Sequence, residues 1–287
     1  RLVMATAFEG RSVLITGAAG GFGRVLTRAF AERRAHVLAA DVAADGLAAL
    51  ADEMKADGIA GRVTTSTVDI SDHEACVRAV AAASETRGHL DILINNGALS
   101  MNVISPHHMT EMVEIEAIEP AVWDKFLGVN MSGGWYLTRA AVPGMKKAGW
   151  GRIINVTTSF FTMLRGRFHP YGPSKAGFEA MSAGHAQEFA PYGVTVNVVV
   201  PGGPSDTAMV PPESGYDRSQ LIPTTAMVPP IIWLCSTAAD RVTGNRYVAA
   251  HWDPGMQPDE ARKACEAPIA WPGLAGSPVW PGGKPDA

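Results

Sequence analysis

The chain has 287 residues, of which 47% are hydrophobic and 18% charged, with a formal net charge of −4. This balance is typical of a globular protein with a large core, and the lack of a basic cluster predicts no nucleic-acid partner. The three cysteines are scattered and fit neither a disulfide framework nor a zinc site, which favours a reducing, cytoplasmic setting. No apolar run approaches the roughly 18 residues of a membrane span, and the N-terminus lacks the apolar segment of a signal peptide, so we predict no membrane association and no export.

Short apolar runs alternate with helical patterns as far as residue 200. The predicted strands are 12–16, 36–40, 62–68, 90–94, 152–156 and 195–200. The predicted helices are 22–35, 43–56, one opened by a capping box at 71–74, a long one at about 123–147, and one at about 171–189. Strands that are apolar throughout and separated by helices form a parallel sheet covered on both faces. The sequence therefore predicts a single α/β domain with a Rossmann-type, doubly wound parallel sheet in three layers.

Two long segments interrupt this alternation. Residues 99–122 and 203–227 show no clear period, and each follows the end of a strand, where ligands bind in open α/β sheets. We expect both to be lids or binding loops. We assign 8–253 to one catalytic domain that binds dinucleotide and substrate. Residues 254–287 are expected to form a C-terminal extension, packed on the domain or at a subunit contact.

A glycine-rich run, Gly17-Ala18-Ala19-Gly20-Gly21-Phe22-Gly23, joins the first predicted strand to the first helix. Such a turn lets the pyrophosphate of a dinucleotide approach backbone N–H groups at a helix N-terminus. Asp41 follows the second strand, where a carboxylate accepts hydrogen bonds from ribose hydroxyls and repels a 2′-phosphate. The uncharged Val42 comes next, while Arg24 after the turn is a cation that could approach a phosphate. We therefore predict NAD as the coenzyme, with NADP as the less favoured alternative.

Tyr171 and Lys175 are four residues apart, which places them on one face of the predicted helix. An ammonium beside a phenol favours the phenolate, so the pKa of Tyr171 is expected to fall below its usual value of about 10. A phenol with such a pKa exchanges protons more readily near neutral pH. The alternative for this spacing is a solvated helix face.

The glycine spacing and the Tyr171-x-x-x-Lys175 pair resemble those of the short-chain dehydrogenase/reductase family, in its single-domain branch. Further family motifs follow in the same order, and the resemblance covers about residues 8 to 250. These motifs are Asp69, Asn95-Asn96-Gly97, Asn130 and Asn197-x-x-x-Pro201-Gly202.

The resemblance implies an oxidoreductase that transfers a hydride between NAD(H) and a secondary alcohol or ketone. Tyr171 would be the general acid or base, Lys175 would lower its pKa and bind the nicotinamide ribose, and Asn130 would hold a water in a proton relay. The family has a serine after the fifth strand, which stabilises the substrate oxygen. The ungapped register puts Thr158 at that position, and a shift of one residue would present Ser159.

The resemblance also implies a set of coenzyme contacts and an assembly. The expected coenzyme residues are Gly17, Gly21, Phe22, Gly23, Asp41, Val42, Asp69, Ile70, Asn96, Gly97, Tyr171, Lys175, Pro201, Gly202 and Thr207. No metal site is predicted, because the adjacent His107 and His108 lack a suitably spaced carboxylate. Relatives are commonly tetramers or dimers, so a homo-oligomer built on the helices containing Trp135 and Phe178 is expected. The alternative functions are a 3-oxoacyl thioester reductase and a non-catalytic NAD-binding sensor.

Overall fold

The computed structural model describes residues 7–276 and 280–282. Within these residues eight strands form one sheet, in the order β3-β2-β1-β4-β5-β6-β7-β8. The strands are β1 Ser12–Thr16, β2 His36–Asp41, β3 Val63–Thr67, β4 Ile92–Asn95, β5 Gly151–Val156, β6 Val194–Val200, β7 Asn245–Val248 and β8 Glu266–Pro268. Neighbouring strands pair in parallel except β8, which is antiparallel to β7.

The helices follow the strands in the alternation that the sequence predicts. They are α1 Gly21–Glu32, α2 Ala44–Ala56, α3 His73–Ser84, α4 Pro120–Leu127, α5 Gly133–Ala148, α6 Phe160–Leu164, α7 Tyr171–Phe189, α8 Val228–Cys235 and α9 Pro258–Ala261. Among the helices described, none has both the length and the hydropathy needed to cross a bilayer.

Helices cover both faces of the sheet. On one face α1, α2 and α8 pack their apolar side chains, among them Phe30 and Trp233, into one core cluster. On the other face α3, α5 and α7 form a second cluster that includes Leu137 and Phe189. Every residue of β1, β4, β5 and β6 is buried, which explains why most residues of these strands are apolar. The predicted Rossmann-type fold of three layers is confirmed.

The predicted long helix at 123–147 is interrupted. Helix α4 ends at Leu127, residues Gly128–Ser132 form a π-helical turn, and α5 starts at Gly133. Such turns insert one residue into a helix and are frequent at functional sites. Asn130 lies in the middle of this turn. The apolar period continues on both sides, so the insertion leaves no signal in the sequence pattern.

The cap of α3 differs from the prediction by one residue. The predicted capping box requires Ser71 as the cap, but Asp72 occupies that position and accepts hydrogen bonds from the N–H groups of Glu74 at 2.9 Å and Ala75 at 3.2 Å. The Ser71 hydroxyl donates instead to Asp69, at 2.7 Å. A carboxylate at a helix N-terminus also interacts favourably with the helix dipole, which favours Asp72 over the hydroxyl.

Strands β7 and β8 were not predicted. They have four and three residues, too few to establish an alternating pattern. Strand β8 belongs to the C-terminal extension and makes one edge of the sheet, and the adjacent Ile269 is buried against Val198 and Val200 of β6. Residues 277–279 and 283–287 of the extension lie outside the described residues.

Candidate active site

The glycine-rich turn lies between β1 and α1, at the carboxyl edge of the sheet. Gly17 has a φ of +63°, in the region that favours glycine, and a Cβ on it would lie 2.8 Å from the Gly97 Cα. A Cβ on Gly23 would lie 2.0 Å from the Gly17 carbonyl oxygen. The turn therefore depends on glycine at both positions.

This turn suits a pyrophosphate. Gly20 caps α1 without a side-chain hydrogen bond, so no cap side chain occupies the N–H groups of the first turn. A Cβ on Gly21 would lie 2.9 Å from the Thr207 methyl carbon, which shows that the segment 203–227 lies against the turn. Accessible N–H groups and the positive end of the helix dipole are the features that bind phosphate groups at helix N-termini. Thr207 therefore lies next to Gly21, one of the residues predicted to bind the coenzyme.

Asp41 ends β2 beside this turn. One carboxylate oxygen accepts a hydrogen bond from the Ala19 N–H and the other from the Ala43 N–H, both at 3.0 Å. Val42 is 63% exposed next to it and brings no positive charge. The structure therefore places a carboxylate at the position where the sequence predicts contact with the adenosine ribose.

Arg24 has partners of its own. Its guanidinium forms an ion pair with Glu53. It also lies near two backbone oxygens, those of Ala19 at 3.4 Å and Gly46 at 3.5 Å. An arginine whose charge is paired in this way is less available to a phosphate group.

The residues expected around the adenine and ribose lie on two adjacent loops. Asp69 is exposed, and Ile70 is buried with 8% exposure. A Cβ on Gly97 would lie 3.2 Å from the Ile70 Cδ1 atom, so these two loops are in contact. The Asn96 side chain is directed elsewhere: its amide donates to the carbonyl oxygens of Thr16 at 3.0 Å and Gly17 at 3.2 Å. The Asn96 side chain therefore stabilises the glycine-rich turn.

Tyr171 begins α7, and Lys175 lies one turn later. The Lys175 side chain is buried, its Nζ donates to the Val156 carbonyl oxygen at 2.8 Å, and it lies 6.0 Å from the centre of the Tyr171 ring. Burial lowers the pKa of Lys175 to about 8 and raises that of Tyr171 to about 12. The expected lowering of the Tyr171 pKa by Lys175 is therefore wrong for this structure. Desolvation of the phenolate dominates, and the ammonium is directed at a carbonyl group.

Thr158 and Ser159 have different partners. The Thr158 side chain lies close to the Tyr171 phenol and opposes the burial that raises the pKa of that phenol. The Ser159 hydroxyl caps α6, where it accepts a hydrogen bond from the Thr162 N–H at 3.1 Å and lies 2.9 Å from the Thr162 hydroxyl. The structure thus brings Thr158, and not Ser159, to the phenol.

Asn130 connects the π-helical turn to the loop after β4 and to α7. Its oxygen accepts a hydrogen bond from the Leu99 N–H at 2.8 Å, and its amide donates to the Leu99 carbonyl at 3.0 Å and the Ser174 hydroxyl at 3.1 Å. Ser174 is adjacent to Lys175, so Asn130 lies next to the Tyr171–Lys175 pair, as the sequence predicts.

The remaining predicted residues follow β6. The Pro201 carbonyl accepts a hydrogen bond from the Ala250 N–H at 3.0 Å. Gly202 has a φ of +108°, and a Cβ on it would lie 2.8 Å from a methyl carbon of Val248. The bend after β6 therefore needs glycine, and it directs the chain into the segment 203–227.

The segment 99–122 reaches Tyr171 through an aromatic contact. The buried His108 ring lies 6.2 Å from Phe168, which packs edge-on against Tyr171 with ring centres 5.8 Å apart. Burial lowers the pKa of His108. In the described part of the chain, no group of three or more His, Cys, Asp or Glu side chains could hold a metal ion.

Comparison with known proteins decides the family. A family model described as short chain dehydrogenase matches residues 11–215. The chain belongs to the short-chain dehydrogenase family. Two relatives are the 2,5-dichloro-2,5-cyclohexadiene-1,4-diol dehydrogenase LinX of Sphingobium indicum and the 3-oxoacyl-(acyl-carrier-protein) reductase FabG of Thermotoga maritima. LinX is 32% identical over 262 residues, which cover 88% of this chain and 100% of LinX. FabG is 31% identical over 194 residues, which cover 68% of this chain and 74% of FabG.

A solved structure from Shigella flexneri, complexed with NADP, has a TM-score of 0.74 and 23% identity, and covers 86% of this chain and 99% of that one. At this identity the likeness supports the fold alone. The short-chain dehydrogenase family assignment confirms the resemblance drawn from the motifs. The protein is an oxidoreductase of a family that uses NAD or NADP and acts on small molecules.

Two buried charges of this short-chain dehydrogenase were missed by the sequence analysis. Glu179 on α7 and Arg246 on β7 form an ion pair with an Nε–Oε1 distance of 2.9 Å, directly behind Thr158. A signal for Glu179 was present, since it follows Lys175 at the same spacing of four that joins Lys175 to Tyr171. Arg246 had no such signal, because β7 itself was not predicted.

Proposed function

We propose that this oxidoreductase transfers a hydride between NAD(H) and a secondary alcohol or ketone, with Tyr171 as general acid in reduction and general base in oxidation. The observation that carries the proposal is the proximity of Thr158, the Tyr171 phenol and the buried Lys175 at the carboxyl end of β5, on the same side of the sheet as the glycine-rich turn after β1. When bound, the coenzyme supplies the hydride acceptor or donor.

The protonation state of Tyr171 suits the donation of a proton, which is its role in reduction. With a pKa of about 12, Tyr171 is a neutral phenol at pH 7 and can give its proton to an oxygen that gains negative charge. Oxidation of an alcohol requires the reverse transfer to Tyr171. Lys175 has a pKa of about 8 and is mainly cationic at pH 7. Its ammonium donates to the Val156 carbonyl oxygen and does not offset the desolvation of the phenolate in this structure, so Tyr171 must first lose its own proton to act as the base.

Thr158 is proposed to hold the substrate oxygen. Its hydroxyl can donate to that oxygen as a serine would, because both side chains carry the same O–H group. Ser159 is the weaker candidate, since its hydroxyl is used in the cap of α6. Asn130 is proposed to support a proton relay near Lys175, in keeping with its contact to Ser174.

NAD is proposed as the coenzyme. Gly17, Gly21, Phe22 and Gly23 would surround the pyrophosphate, and Asp41 would accept hydrogen bonds from the ribose while repelling a 2′-phosphate. Arg24 is paired with Glu53 and would offer little compensation for that repulsion.

The remaining proposed contacts surround the rest of the coenzyme. They are Val42, Asp69, Ile70, Asn96, Gly97, Pro201, Gly202 and Thr207, together with Tyr171 and Lys175 at the nicotinamide ribose. Asn96 would act mainly through its backbone, because its side chain is bonded to the turn.

A 3-oxoacyl thioester reductase is the second candidate, supported by the likeness to FabG. An initial-rate assay separates the two. One arm supplies NAD with a panel of secondary alcohols, including cyclic diols because of the likeness to LinX. The other supplies NADPH with an acetoacetyl thioester. Turnover mainly in the first arm supports the proposal, and turnover mainly in the second favours the reductase. Tight NAD binding with no turnover in either arm would favour the sensor.

We also propose a homo-oligomer in the cytoplasm. Trp135 on α5 is 43% exposed, and it lines a groove with Met131, Tyr136 and Met181 between α5 and α7. An exposed aromatic patch of this kind is a typical subunit contact. The three cysteines are buried and unbonded, in keeping with a reducing compartment. Sedimentation of the purified protein tests the assembly, and a monomer at micromolar concentration would contradict it.

A further inference from the structure

A buried ion pair that has no part in the proposed proton transfer lies behind the Thr158 loop. The Glu179 side chain is fully buried and that of Arg246 is 7% exposed. We propose that this pair is a positioning device, which holds the Thr158 hydroxyl against Tyr171 and which the C-terminal extension completes. The inference rests on the proposed function, in which Thr158 binds the substrate oxygen.

The pair binds two consecutive residues of the loop. The Arg246 Nη2 atom donates to the Thr158 carbonyl oxygen at 2.9 Å. The Thr157 hydroxyl donates to the second oxygen of Glu179 at 2.6 Å. The loop is therefore held by a backbone bond from the cation and a side-chain bond to the anion.

Helix α7 carries both Glu179 and the Tyr171–Lys175 pair. Tyr171, Lys175 and Glu179 follow one another at a spacing of four, so they lie along one face of α7. The loop is joined to this face by the hydrogen bond of Thr157 to Glu179, and the next residue, Thr158, lies close to Tyr171. The position of the Thr158 hydroxyl relative to the phenol is consequently set by the pair.

The C-terminal extension contacts Glu179 directly and Arg246 through Phe160. The Ala270 N–H donates to the Glu179 oxygen that also accepts from Arg246, at 3.1 Å. Ala270 has a φ of +60°, a conformation that is unfavourable for alanine and that directs this N–H at the carboxylate. The Trp271 ring packs edge-on against Phe160 at 6.0 Å, and the Arg246 guanidinium lies 4.0 Å from the centre of the Phe160 ring.

A buried ion pair is weak evidence for a stabilising role. Two apolar residues of similar volume often replace such a pair without loss of stability, whereas removal of one partner leaves an unpaired charge. Replacement of both partners by apolar residues therefore removes the pair without leaving an unpaired buried charge. In the double variant Glu179→Leu/Arg246→Met the core stays apolar and filled, but Thr157 and Thr158 lose their partners.

The test is a double-mutant cycle between this double replacement and Thr158→Ala. In the parent background the replacement should lower kcat for the alcohol about tenfold with an unchanged KM for NAD, because a small displacement of a positioned group slows the reaction. The urea midpoint should also fall, since the Thr157 hydroxyl and the Ala270 N–H lose their acceptor. In the Thr158→Ala background the replacement should change kcat by less than about twofold, since its target is already absent. Equal, additive losses in both backgrounds would overturn the proposal.

Arg152→Met is the matched control. Arg152 is a fully buried arginine that is paired with Asp240. It lies near the amino end of β5, whereas Thr158 follows the carboxyl end of the same strand. Its removal should lower the urea midpoint and leave kcat within about twofold of the parent.

One further variant and one further measurement extend the test. If the double replacement does not fold, Arg246→Lys replaces it, because a single ammonium cannot reproduce the two bonds of the guanidinium. Arg246→Lys should lower kcat about tenfold in the parent background and by less than about twofold in the Thr158→Ala background. Equal losses in both backgrounds would again overturn the proposal. If the parent oxidises no alcohol, the proposed function fails, and a crystal structure of the variant decides the positioning. Displacement of the Thr158 hydroxyl from Tyr171 would support it, and an unmoved hydroxyl would overturn it.

Discussion

The Thr158 side chain lies close to the Tyr171 phenol and opposes the burial that raises the pKa of that phenol. Ser159, the next residue, uses its hydroxyl to cap α6. Two adjacent hydroxyl groups of the same chemistry thus differ in the residues that they contact. The serine position that the sequence left open between them is proposed to belong to Thr158.

Thr158→Ala should lower kcat, whereas Ser159→Ala should lower the stability of the fold. Loss of one donor to the substrate oxygen should lower kcat about a hundredfold in Thr158→Ala. Loss of the cap in Ser159→Ala should cost about 1 kcal/mol of unfolding free energy and leave kcat within about twofold. Steady-state kinetics and urea unfolding of both variants are the measurements. A catalytic loss confined to Ser159→Ala would transfer the role to Ser159.

Lys175→Met should stabilise the protein in a pH-dependent way. Burial lowers the pKa of Lys175 to about 8, from 10.5, so the folded state binds fewer protons than the unfolded state between these values. Stability of the parent therefore rises with pH across this window, and the full cost of the buried ammonium applies below pH 8. We expect Lys175→Met to be more stable by about 2 kcal/mol at pH 7, after allowing for the lost bond to Val156.

This gain should vanish as the pH approaches 10.5, because the parent then folds with a neutral lysine. Urea unfolding at pH 7 and pH 10.5 measures the change. Lys125→Met is the control, since Lys125 is exposed and its replacement should give the same small difference at both pH values. A Lys175→Met variant that is less stable than the parent at pH 7 would contradict the prediction.

Local patterns predicted most of the fold. The strand at 12–16 and the helix at 171–189 were found at the observed bounds, and the strand is a short apolar run that stops at the glycine-rich turn. The cap of α3 was assigned one residue early, since Ser71 and Asp72 are both good caps and only the folded loop selects between them. Strands β7 and β8 were missed because they are short.

The pairing of Tyr171 with Lys175 has a local signal, whereas the contacts of Glu179 join distant parts of the chain. Tyr171 and Lys175 are four residues apart on one helix, but the partners of Glu179 lie 22, 67 and 91 positions away, at Thr157, Arg246 and Ala270. The direction of the Tyr171 pKa shift was also wrong. Spacing shows which charge is near a phenol, whereas desolvation depends on tertiary packing that a sequence pattern does not contain.

Asp41→Asn should weaken the preference for NAD. The substitution removes the charge that repels a 2′-phosphate while nearly keeping the side-chain shape. We expect the Kd of NAD to rise about tenfold and that of NADP to fall, as measured by titration of each coenzyme side by side. Arg24→Met is the matched variant, and its Kd for NADP should stay near that of the parent because Arg24 is paired with Glu53. Tighter binding of NADP than of NAD by the parent protein would contradict the assignment.

Tyr171→Phe tests the central claim most directly. The variant keeps the ring and its packing against Phe168 but has no proton to exchange. With the best alcohol from the panel and NAD, we predict that kcat falls at least about a thousandfold while the Kd of NAD is unchanged. Turnover by Tyr171→Phe at the rate of the parent would contradict the account.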